Sequence, residues 1–168
     1  MIKPIADLPL TDSQVLTLVG EKTIESNSSF INLEQISDTV DIPEDVFYDA
    51  VTMLSRKRYI TVEEPWTLGG GIVSLTVDGF KKYAHACLPR YNSIIESVVY
   101  QITQGTLDHK AIAAALQEKQ ILVDHVINVL DQKGVLEAIS HVGGMSIGSV
   151  SPRLKDTPIK ELLSWFKS

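Results

Sequence analysis

Apolar residues recur along this chain at helical spacing, break, and then recur in the same order. Val15, Leu16, Val19 and Ile24 form one helical face. Thr11-x-x-Gln14 reads as a capping box ahead of it, with Leu10 and Val15 as the hydrophobic staple. A polar break follows, then a short strand candidate at Phe30-Ile31. Asn32 is placed to cap a second helix running to about Val40. Pro43 suits the first turn of a third helix, whose Val46, Phe47, Ala50, Val51 and Leu54 predict a broad buried stripe. The period then shortens. Tyr59 to Val62 and Ile72 to Leu75 are β-rich runs separated by Glu63 to Gly71, a long hairpin tip. Thr76 caps a helix carrying Phe80, Tyr83, Ala84 and Cys87, which Pro89 stops.

The same succession then starts again. Ile36, Val40, Ala50, Val51, Leu54 and Ile60 align with Ile112, Leu116, Val126, Ile127, Leu130 and Leu136, an offset of 76 residues throughout. A repeat of this length is one compact supersecondary unit used twice. In the second copy Asn92 and Asp108 are the expected caps, and a third helix is expected from about Ile121 to Gln132. Val135–His141 and Ser146–Val150 are expected to pair across Gly143-Gly144. Thr157-Pro158 opens a final helix with Ile159, Leu162, Leu163 and Phe166 on one face, expected to cover its own unit. The fold class is therefore mostly α with small β hairpins (α+β). Two domains are expected, 1–90 and 91–168, the second ending in the C-terminal helix.

Helix, short strand, helix, turn, helix and hairpin resemble the winged-helix superfamily, a helix-turn-helix with a β wing. Leu33 to Leu54, Tyr59-Ile60 and Leu75-Thr76-Val77-Asp78-Gly79 carry the likeness. The last run is similar to the Leu-Thr-x-x-Gly that closes the wing in many bacterial regulators. The resemblance covers nearly the whole chain as two tandem copies. It implies either of two jobs, since tandem winged helices include DNA-binding regulators and acidic, protein-binding subunits of larger complexes.

Charge separates the two. The net charge is −6, and six carboxylates (Glu34, Asp38, Asp41, Glu44, Asp45, Asp49) lie between Phe30 and Leu54 with no Lys or Arg among them. The outward positions of the first recognition helix are Glu44, Asp45, Tyr48, Asp49 and Thr52. DNA affinity comes largely from Lys and Arg displacing counterions, so this face repels a phosphate backbone and suits a basic partner. In the second copy the outward set is Asp124, His125, Asn128, Asp131 and Gln132, with His125 expected at the surface. Asn128 and Gln132 are suited to adenine edges. Arg153 and Lys155 beside the second hairpin can reach phosphates, but two cations support only weak binding. Trp66 at the first wing tip either folds back on the core or meets a partner.

Catalytic chemistry is not expected. Gly144-Met145-Ser146-Ile147-Gly148 matches a serine elbow, yet it falls in a hairpin and no histidine follows it. His85, His109, His125 and His141 lack metal-ligand spacing, so no metal or other cofactor is expected. Cys87, the single cysteine, reads as a core residue in a reducing compartment. No apolar run approaches a membrane span. Residues 1–10 have no long apolar centre of a secretion signal, so a cytoplasmic location is expected. The expected molecule is a non-enzymatic regulatory or interaction module with a protein partner or a second copy of itself. A DNA-binding regulator using the second copy and its wing is the alternative.

Overall fold

The structure, a computed structural model, describes residues 4–63 and 71–168. Among these it is α+β, with nine helices and two small antiparallel sheets. The chain divides into two compact units, with the boundary between Leu88 and Pro89.

The first unit runs α1 (Leu10–Ser26), β1 (Ile31–Asn32), α2 (Leu33–Ser37), α3 (Glu44–Arg56), β2 (Ile60–Glu63), β3 (Ile72–Leu75) and α4 (Val77–Cys87). Its sheet has the order β1-β3-β2, with Ile31 opposite Val73 and Ile60 opposite Leu75. Val15, Leu16, Val19, Ile36, Phe47, Leu54, Ile60 and Val73 form the fully enclosed core. α1 starts one residue before the expected capping box, at Leu10 after Pro9, and no side chain caps it. Thr11 therefore lies inside the helix, and the box does not form. At the other end Asn27 adopts the left-handed conformation, and the Asn27 and Ser28 amides close the last carbonyls. Asn32 caps α2 as expected, accepting from Glu34 N at 2.9 Å. α2 is short and ends at Ser37.

The end of the sheet is held by one local network. Thr76 Oγ1 accepts from Gly79 N at 3.0 Å and donates to the Arg58 carbonyl at 2.6 Å. Thr76 N donates to the Tyr59 carbonyl at 3.1 Å. One hydroxyl thus caps α4 and ties it to the start of β2. Gly79 rests directly on the Tyr59 carbonyl, where an added Cβ would stand 1.8 Å from the oxygen. This is the physical content of the Leu-Thr-x-x-Gly run. The neighbouring basic run is also used structurally. Lys57 Nζ lies 3.6 Å from buried Asp12, and Arg58 takes a left-handed turn, φ 61°.

The second unit runs α5 (Tyr91–Thr103), α6 (His109–Leu116), α7 (Gln120–Gln132), β4 (Leu136–His141), β5 (Gly144–Val150), α8 (Pro152–Asp156) and α9 (Ile159–Ser164). The offset of 76 holds for the starts of α2 and α6, α3 and α7, and β2 and β4, whereas the single helix α4 falls on the two helices α8 and α9. Glu44–Arg56 maps onto Gln120–Gln132 at both ends, and Leu33 maps onto His109. Asp108 caps α6 through Ala111 N at 2.9 Å. It also bridges to Ser146, in the place that β1 fills in the first unit. α5 begins at Tyr91 after Arg90, not at a cap on Asn92, and no side chain caps it. α8, capped by Ser151, precedes the final helix and was not foreseen. Leu162, Trp165 and Phe166 are buried, and α9 packs on α5 as its apolar face predicts, although Ile159 stays exposed. No helix among the described residues is long and apolar enough to cross a membrane.

Candidate interaction surface

α3 buries Phe47, Ala50, Val51 and Leu54 and leaves its other side open. Glu44, Asp45, Tyr48, Asp49 and Thr52 are all exposed, as their spacing predicts. Val46 is a correction: it is 38% exposed instead of buried, and Met53 two turns later is 41% exposed. Only a stripe of α3 faces the core, and Val46 falls just beyond its edge. The surface is thus a mixture of carboxylates and apolar groups.

Tyr48 stands at the centre of this face. Its ring meets Phe47 edge-on, with centroids 5.3 Å apart, and Thr52 Oγ1 donates to its carbonyl at 2.9 Å. It also contributes to the walls of two clefts. One, of about 400 Å³, lies toward α2 and is lined by Glu34, Ser37, Asp38, Ile42, Glu44, Phe47 and Tyr48. The other, also about 400 Å³, lies toward the sheet and includes Leu33, Val51, Thr52, Ser55, Arg56 and Val62. The first cleft has three carboxylates in its wall and no cation. None of the six acids from Glu34 to Asp49 forms an ion pair among the described residues. Glu44 and Asp45 complement the amino end of the helix dipole. Asp38, Asp41 and Asp49 have no such role. The clefts, and the apolar pair Val46 and Met53, went unseen in the sequence. Only the excess of apolar residues on α3 over what one face can bury pointed to them.

The matching helix of the second unit is different, and two expectations are corrected. His125 is 5% exposed instead of at the surface. Its Nε2 shares a 2.6 Å hydrogen bond with the buried Tyr91 hydroxyl, and both rings pack edge-on against Phe166. Burial pushes the Tyr91 phenol well above its ordinary value. Asp124 turns sideways instead of outward. Its carboxylate accepts from His109 Nδ1 at 2.5 Å, and burial raises its pKa against the lowering effect of that bond. Asp131 is exposed but accepts from Ala138 N at 2.9 Å. Of the outward set, Asn128 is half-buried and Gln132 exposed. α7 keeps a polar strip of Gln120, Asp124, Asn128, Asp131 and Gln132, beside a broad buried side running from Leu122 to Leu130.

Arg153 and Lys155 are exposed on α8, and the Arg153 guanidinium sits 5.8 Å from the Trp165 ring centre. Trp66 lies outside the described residues. His85 is exposed, and Cys87 is half-buried with Sγ 3.9 Å from Thr17 Oγ1. Among the described residues no three His, Cys, Asp or Glu gather as metal ligands would. No family model matches the chain, and no curated protein sequence matches it.

Proposed function

We propose that this chain is a non-enzymatic tandem winged-helix interaction module whose first unit docks a basic protein surface on α3. The element order of each unit and the Thr76–Gly79 closure of the first sheet support the winged-helix reading. One observation carries the docking reading. The helix that would enter a DNA groove exposes Glu44, Asp45 and Asp49 without a cation partner among the described residues, around an exposed Tyr48. A central aromatic with apolar neighbours and a charged rim is the composition of a protein interface. A phosphate backbone meets repulsion there, on the order of 1 kcal/mol for each close like-charge contact even in water.

The burial of His125 and the pairing of Asp124 weigh against the DNA alternative, since they remove two of the five residues of the second helix's reading face. Asp45→Lys with Asp49→Lys tests the choice. Both positions are exposed, so the fold tolerates the change. The double variant is expected to lose a protein partner captured from the native host, and the unaltered chain to leave a random DNA duplex unshifted at low salt. A shifted duplex, together with partner capture indifferent to the two substitutions, would reverse the assignment.

A further inference from the structure

His109 joins three elements of the second unit through one ring. It is buried at the start of α6. Its Nδ1–H donates to Asp124 on α7 at 2.5 Å, and its Nε2 accepts from Met145 N on β5 at 3.3 Å. Both bonds form together only when the imidazole is neutral with its proton on Nδ1. Gly144 rests on the same ring, where an added Cβ would stand 2.3 Å from Nε2. A second proton, on Nε2, would set two N–H groups against each other at Met145. The bond to Asp124 would survive as an ion pair.

We propose that neutral His109 latches the tip of the β4–β5 hairpin to the body of its unit, and that protonation at Nε2 opens the latch. The proton has an evident counter-charge in Asp124, so acid leaves the α6–α7 contact in place and frees only the strand side. Other charged groups near the ring are few. β5 reaches it through the Gly144 and Met145 backbone. Asp108 and Lys110 flank it at the surface of its own helix. α5, which also packs on α6, has Glu96 as its one carboxylate, and Glu96 is exposed. His141 pairs across the ladder from Gly144, but it is exposed and its Nδ1 meets the Val142 carbonyl at 3.3 Å. The freed tip would carry the exposed Ile139 and Val142 with it.

The test is a pH titration of the full chain by NMR, following the His109 ring and the exchange rate of the Met145 amide corrected for intrinsic pH dependence. Met145 protection is expected to fall about tenfold, the loss of one hydrogen bond, with the midpoint of the His109 ring. Asp124→Asn keeps an acceptor for Nδ1–H but removes the counter-charge, so both midpoints should move down together. His141→Gln should leave them unchanged. The latch is overturned if the ring titrates while Met145 protection stays constant, if the ring remains neutral to pH 5, or if His141→Gln abolishes the response.

Discussion

Gly79→Ala is the sharpest test of how the first unit closes. The new methyl would stand 1.8 Å from the Tyr59 carbonyl oxygen, against a comfortable separation of about 3.5 Å. α4 must therefore retreat by more than 1 Å or the start of β2 must give way. Either movement stretches Thr76 N to Tyr59 O and Thr76 Oγ1 to Arg58 O, now 3.1 and 2.6 Å. Losing both costs about 2 kcal/mol. Displacing buried Phe80, Tyr83 and Ala84 with the helix adds about 1–3 kcal/mol. Alanine's better helix propensity returns about 1 kcal/mol. The net expectation is a loss of about 2–4 kcal/mol, or roughly a 30- to 1000-fold rise in the open population of this unit. Hydrogen exchange read on α3 peptides reports it directly, because α3 belongs to the same core. Thr76→Ser, which keeps the hydroxyl, should leave exchange nearly unchanged. An alanine variant within about 0.5 kcal/mol of the parent would refute the steric reasoning, since that is the range of an inconsequential surface change.

Two further outcomes follow from the second unit. Tyr91→Phe removes a hydroxyl bonded to His125 at 2.6 Å in the interior and should cost about 1–3 kcal/mol, seen as a lower thermal midpoint; an unchanged midpoint would remove that pair from the stabilising interactions. Asp108 has its carboxyl pKa held below the ordinary 3.8, first by the Ala111 amide. A depressed carboxylate pKa stabilises the fold above its unfolded value, and that contribution is lost as pH falls through the folded value. Protection of α6 amides should therefore decline below about pH 4, and Asp108→Asn, which still caps, should flatten that decline.

Local signals in this sequence proved readable wherever one side chain acts on its own backbone. Asn32, Thr76 and Asp108 cap the helices they were expected to cap. The offset of 76 places α7 residue for residue on α3, because repeated apolar spacing reports repeated packing. The failures have two physical sources. Thr11 and Asn92 are good cap residues, but α1 and α5 begin one residue ahead of Thr11 and Asn92, after Pro9 and Arg90. Propensity cannot choose between adjacent starts. His125 and Asp124 were misread because periodicity reports which side of a lone helix is apolar, not how many neighbours cover it. The groups that cover them, Tyr91, Phe166 and His109, lie 15 to 41 positions away in the chain. The α3 face was legible because its acids are crowded and unmatched in sequence. Its clefts depend on α2 and the sheet folding against α3, which no local pattern records.

The most direct measurement of the proposed docking face is site-specific crosslinking. A photoreactive benzoylphenylalanine at position 48 stands where Tyr48 joins the walls of both clefts. The same group at position 132 serves as the reference on the second unit. In native extract, the group at position 48 is expected to give a discrete protein adduct that weakens with added salt. That adduct should vanish when Asp45 and Asp49 become lysine, while position 132 yields none. An adduct from position 48 that is indifferent to both salt and charge reversal, or crosslinking confined to nucleic acid at position 132, would contradict the proposal.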